Sequence, residues 1–126
     1  LQNNIQLGRF GRNRTNVWNY ATVDIFGRKA ADEEPHPTVK PLLMVSDAIL
    51  DCTQRNDIVL DPFLGSGTTL LAAERTGRRC CGIELDPLYI DTAIERWQRM
   101  TGRKAHNQLG ESFDFLKSRR RSAANG

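Results

Sequence analysis

The sequence predicts an α/β fold: a parallel sheet with flanking helices. Three observations carry this. Apolar residues recur at helix spacing after Pro41. A short unbroken apolar run at 58–60 is followed directly by Gly65 and Gly67 and then by a helical stretch. A second strand-like run from Arg79 leads into another helical stretch. Helix, strand, helix, strand, helix, strand in alternation implies parallel strands joined by right-handed crossovers.

Leu42, Val45, Ile49 and Cys52 give the first helix its stripe, and Pro41 suits its first turn. Asn56-Asp57 breaks the helix. Ile58, Val59 and Leu60 read as a strand buried on both faces. Thr68 to Thr76 reads as a helix, with Gly77 just past its end. The stretch 79–85 reads as the second strand. Asp86 is placed to cap the next helix and Pro87 to open it. Ile90, Ala93, Ile94 and Trp97 form the stripe of that helix, and Gly102 ends it. A weaker third strand is expected over 105–109.

Upstream, Val17, Trp18 and Tyr20 suggest extended structure, and 27–37 reads as a surface loop. With 126 residues, the expected organisation is one domain portion. It comprises a strand and loop segment over 1–35, a cofactor-binding core over 36–116, and a disordered basic tail over 117–126.

Composition narrows the class. With 39% apolar residues the chain has enough to build a core, which argues against disorder throughout. No apolar run reaches the ~20 residues of a bilayer span, and the polar, basic start lacks the apolar segment of a signal peptide. A cytoplasmic chain with no membrane partner is therefore expected. Its start at Leu1 suggests a trimmed chain. Cys52, Cys80 and Cys81 form neither a disulfide framework nor a zinc pattern, so no metal site is expected. The net charge of +3 is concentrated in Arg9, Arg12 and Arg14 and in Lys117, Arg119, Arg120 and Arg121. Such clusters suit phosphate contacts; the C-terminal one also reads as a solubilising tail.

The informative segment is Asp61-Pro62-Phe63-Leu64-Gly65-Ser66-Gly67-Thr68-Thr69, between the first strand and a helix. In open parallel sheets that point faces the ligand crevice. Glycines let the backbone approach a ligand, and the helix start offers free N–H groups. No Lys follows the glycines, which excludes a phosphate-binding P-loop. Leu70 stands where a dinucleotide fingerprint needs its third glycine. Asp61 would repel a pyrophosphate and attract a cation. Glu84 is placed to accept ribose hydroxyls, as acidic residues do in dinucleotide sites. An amino cation, a close backbone approach and a ribose together fit S-adenosylmethionine better than NAD. Each piece alone also has a plain structural reading: a tight turn, a solvated strand end, a helix cap at Asp86.

His36-Pro37-Thr38-Val39-Lys40-Pro41, then Asp61-Pro62-Phe63-Leu64-Gly65-Ser66-Gly67-Thr68-Thr69, then Gly82-Ile83-Glu84-Leu85-Asp86, resembles the DNA N4-cytosine/N6-adenine methyltransferases in their β motif order. In that family these segments are motifs X, I and II. The opening from Gly8 to Trp18 resembles the stretch before motif X. The resemblance implies a partial Rossmann-like class I methyltransferase fold. It implies that Asp61, Phe63, Gly65, Ser66, Gly67 and Thr68 cradle the methionine part of the cofactor and that Glu84 holds the ribose. Thr38 and Lys40 would help position the cofactor carboxylate.

The family's catalytic Asp/Asn/Ser-Pro-Pro-aromatic motif precedes motif X, and this chain has no Pro-Pro pair. No catalytic residue is therefore assigned. The expected function is the S-adenosylmethionine-binding part of an enzyme that methylates N6 of adenine, or N4 of cytosine, in DNA. Its expected partners are DNA and a missing upstream portion for catalysis and target recognition, with a homodimer left open. The alternatives are a non-catalytic cofactor- or DNA-binding module and, less well supported, a nicotinamide-dependent oxidoreductase.

Overall fold

A computed structural model describes residues 42–124. Thr38, Lys40, Arg9, Arg12 and Arg14, with the expected segment over 1–35, lie outside the described residues. The order is α1 (Leu42–Cys52), β1 (Ile58–Asp61), α2 (Thr68–Thr76), β2 (Arg79–Gly82), α3 (Pro87–Thr101) and α4 (Phe113–Ala124). β1 and β2 pair in parallel, with Ile58 opposite Arg79 and Asp61 opposite Gly82. The expected α/β class, a parallel sheet with flanking helices, is what these residues form.

Local chemistry sets the boundaries. Leu42, Ser46 and Ile49 turn to the buried side of α1. Asn56, at φ 71°, ends the turn after that helix, since Asn tolerates the left-handed region. Gly77, also left-handed, closes α2. The N–H of Gly77 bonds Glu74 O at 3.2 Å and that of Arg78 bonds Ala73 O at 2.8 Å. This pair of bonds satisfies carbonyls that the helix end leaves open. Asp86 caps α3, its Oδ1 accepting from the Leu88 N–H at 2.8 Å, and Pro87 takes the first helical position. Gly102 ends α3 with an N–H bond to Gln98 O at 2.9 Å.

The core lies between α1 and α2: Leu42, Ile49, Leu71, Ala72 and Ala73, with Val59, Cys80, Trp97 and Met100 against it. Ala72 and Ala73 are wholly buried, and their small side chains let α1 come close. Arg78 braces the end of α1, donating through Nε to Thr53 Oγ1 (3.0 Å) and through Nη2 to Thr53 O (2.6 Å). All three cysteines are free. Burial, then Asp61 and Cys81, pushes the Cys80 thiol up to about 11. It stays protonated at neutral pH and packs as a small apolar residue.

Four expectations need correcting. β1 is not buried on both faces: Val59 packs inward, while Ile58 and Leu60 are exposed on the other side. With two strands and helices on one face, alternation replaces full burial. β2 ends at Gly82 rather than running to Leu85. There the Glu84 carboxylate accepts from the N–H groups of Leu85 and Asp86 and turns the chain. The third strand over 105–109 is reduced to one antiparallel bridge, His106 to Ser112. Asn107 Oδ1 takes the N–H groups of Leu109 and Glu111, so the backbone turns instead of extending. The basic tail is not loose from residue 117: Lys117, Arg119, Arg120 and Arg121 lie within α4.

Among the described residues no helix is long and apolar enough to cross a membrane.

Candidate functional site

The glycine loop leaves the C-terminal end of β1 and enters α2. Asp61 Oδ1 accepts from the Phe63 N–H at 3.0 Å, which starts the turn. The Phe63 ring is 88% exposed, so nothing in the fold requires an aromatic there. Leu64 folds back over β2, and its N–H bonds Ile83 O at 2.9 Å. A Cβ on Gly82 would come within 2.8 Å of the Leu64 side chain, so Gly82 is the seat for Leu64.

The two loop glycines do different work. Gly65 has φ 54°, and its Cβ position is open, the nearest atom being Phe63 O at 4.0 Å. That is the free approach a ligand needs. Gly67 has φ 84°, and a Cβ there would lie 2.7 Å from Ala93 Cβ on α3. Its missing side chain lets α3 dock against the loop. Thr68, the first residue of α2, is buried. The Leu71 N–H bonds Gly67 O as the first bond of the helix ladder. The N–H groups of Thr68, Thr69 and Leu70 therefore have no partner within α2.

Glu84 ties the second strand to this loop. Its Oε2 accepts from the Gly65 N–H at 2.8 Å, and its Oε1 from the N–H groups of Leu85 (2.8 Å) and Asp86 (3.0 Å). These bonds, that of Asp86 first and that of Gly65 second, hold the carboxyl below its ordinary range against desolvation and the Asp61 charge. Glu84 is thus a carboxylate at neutral pH. Of its roughly four acceptor positions three are taken, so in this arrangement one remains for a ligand hydroxyl.

Sequence reasoning missed Arg96. Its Nη1 donates to Ser66 O at 2.6 Å and to Ser66 Oγ at 2.9 Å. The available signal is spacing: Arg96 follows Ala93 by three residues on α3, and such residues share a helix face. Asp61, Phe63, Gly65, Ser66, Gly67, Thr68 and Glu84 are brought together at one end of the two strands. The C-terminal cations lie elsewhere and are mostly engaged. Lys117 pairs with Glu95, Arg119 with Glu111 at 3.6 Å and Arg120 with Asp91 at 3.1 Å. Trp97 donates through Nε1 to Glu74 at 3.1 Å, and Arg103 stacks over its ring at 4.8 Å. It is a strut of the core, not a free aromatic face. No group of three metal-binding side chains occurs among the described residues.

Comparison with known proteins supplies the family. The DNA methylase family model (N6_N4_Mtase) matches residues 3–95. The chain is 38% identical over 87 residues to the type II methyltransferase M.ScaI of Streptomyces caespitosus, covering 68% of this chain and 29% of that protein. It is 36% identical over 111 residues to the type II methyltransferase M.BglII of Bacillus subtilis, covering 87% of this chain and 28% of that protein. The chain thus spans less than a third of the length of these relatives. Among solved structures, M1.HpyAVI in complex with SAM matches 52% of the chain at 46% identity and a TM-score of 0.47. The cytosine-N4-specific PvuII DNA methyltransferase matches 51% at 34% identity and a TM-score of 0.48. With the family model matched from residue 3 through α2 and β2 into α3, the chain belongs to the DNA methylase family.

Proposed function

We propose that this chain is the S-adenosylmethionine-binding part of a DNA amino-methyltransferase acting on N6 of adenine or N4 of cytosine. One observation carries the reading: Glu84, just past the second strand, bonds Gly65 of the glycine loop, so the two segments that resemble motifs I and II meet at one end of the strands. The residues fit the group. Gly65 leaves its Cβ space open, the first-turn N–H groups of α2 suit a carboxylate, Asp61 suits an amino cation and Glu84 keeps an acceptor for a ribose hydroxyl.

When bound, the cofactor supplies an electrophilic methyl group. This chain's share is to bind and orient it. The target amine must leave the base stack to reach that methyl. The polar group and the aromatic face that hold a flipped base belong to a Pro-Pro-aromatic motif absent from this sequence. The partners proposed are therefore DNA and an upstream portion carrying that motif.

Isothermal titration of the chain with S-adenosylhomocysteine and, separately, with NADH tests the reading. Binding of the first and not of the second is expected. Binding of NADH alone would mean an oxidoreductase site.

A further inference from the structure

We propose that Arg96 is a positioning residue for the glycine loop: it locks the Ser66–Gly67 peptide, so that the neighbouring Gly65–Ser66 peptide is left to meet the cofactor. The inference rests on the cofactor reading given above.

Ser66 stands between two glycines in the left-handed region, at φ 54° and 84°. Glycine takes either sign of φ at little cost, so a peptide that adjoins a glycine flips easily. Here the Ser66–Gly67 peptide is held at both ends. Its N–H, that of Gly67, bonds Leu64 O at 3.0 Å, and its carbonyl, that of Ser66, accepts from Arg96 Nη1 at 2.6 Å. The same nitrogen donates to Ser66 Oγ at 2.9 Å, which fixes the side chain as well. The N–H groups of Phe63, Leu64 and Gly65 are taken by Asp61, Ile83 and Glu84. That leaves the Gly65–Ser66 peptide as the loop peptide with no hydrogen-bond partner among the described residues.

The reach of Arg96 is set by packing. Ala93 sits against Gly67 so closely that no Cβ fits between them. Arg96, one turn on, is therefore carried to Ser66 by a rigid contact and not by a loop. A charged donor on a carbonyl is stronger than a neutral one, and α3 holds it there before any ligand arrives. Preorganisation of this kind lowers the ordering cost of binding.

The test is S-adenosylhomocysteine affinity of the full chain by titration calorimetry, with thermal melting in parallel. Arg96→Met is expected to weaken binding about tenfold, because the loop peptide must then be ordered when the ligand binds. Arg96→Lys, which restores a charged donor, is expected to recover most of that loss. Recovery with the melting temperature unchanged is what a purely structural role would not produce. Arg99→Met removes the same charge from an exposed site on α3 and should bind as the wild type does. If Arg96→Met does not fold, Ser66→Ala decides, with about threefold weakening expected from a less firmly ordered loop. Wild-type binding with Arg96→Met, or in its place Ser66→Ala, within twofold overturns the inference and leaves the cofactor reading intact. No binding by the wild type overturns the cofactor reading and the inference with it.

Discussion

Glu84 and Gly65, 19 residues apart, are joined by a 2.8 Å hydrogen bond from the Gly65 N–H to Oε2. The carboxylate proposed to meet a ribose hydroxyl is also the one that fastens the glycine loop. Glu84→Gln leaves one carbonyl oxygen for the work of two. S-adenosylhomocysteine affinity is expected to fall about tenfold, since a charge-assisted acceptor becomes a neutral one. Unchanged affinity in a folded variant would remove Glu84 from the site.

The same carboxylate has a pH signature. Its folded pKa lies below the ordinary value, chiefly through the Asp86 and Gly65 N–H bonds. A depressed carboxyl pKa contributes stability that is present above the unfolded value and is lost as pH falls through the folded value. The Gly65 amide resonance is therefore expected to hold its position through the usual glutamate range and to shift only at lower pH. A shift centred at the ordinary glutamate value would mean that the bond is not made in solution.

Gly65→Ala and Gly67→Ala are expected to separate binding from folding. At Gly67 an added Cβ meets Ala93 at 2.7 Å in a left-handed backbone, so about 2 kcal/mol or more of stability is lost. At Gly65 only the left-handed strain applies, about 1 kcal/mol, while the filled approach lowers ligand affinity. Thermal melting and calorimetry of both variants read the difference. Equal melting losses would contradict the division of roles.

Any DNA binding by this chain is expected to be sequence-independent and steeply salt-dependent. The cations of α4 are partly engaged by Asp91 and Glu95 of α3. Asp91→Asn with Glu95→Gln frees them. Affinity for an arbitrary duplex should rise, with a steeper slope of log affinity against log salt. If neither quantity changes, these cations do not meet phosphate.

Methyl transfer needs the amine nitrogen held in line with the sulfonium methyl. The chain alone is expected to give only background incorporation of labelled methyl into mixed genomic DNA. Turnover above background would place catalytic residues within this sequence.

Much of this was legible in the chain because the signals were local. α1, β1, α2 and α3 follow from apolar spacing and from punctuation by Asn56, Gly77, Asp86, Pro87 and Gly102. α4 was hidden by composition. Its apolar pair, Phe113 and Leu116, is short, and a run of cations reads as solvated tail. Yet Ser112 precedes it, Asp114 lies in its first turn and Arg121 in its last, as the helix dipole favours. That Asp61, Phe63, Gly65, Ser66, Gly67, Thr68 and Glu84 are neighbours was legible from strand and loop order, but their division of labour was not. That Gly67 serves Ala93 while Gly65 stays open depends on where α3 crosses the loop, a long-range fact. Arg96 was missed for the same reason.

The exposed side of β1 has a practical consequence for anyone handling the isolated chain. Ile58 and Leu60 stand in water at 57% and 67% exposure, on a two-stranded sheet whose β1 edge carries no further strand among the described residues. An apolar strand with an unpaired backbone edge is a template on which identical copies stack. Self-association on concentration is then expected to begin at this strand. A single Leu60→Lys, on the side of β1 away from the core, should keep the chain in solution without loosening its interior.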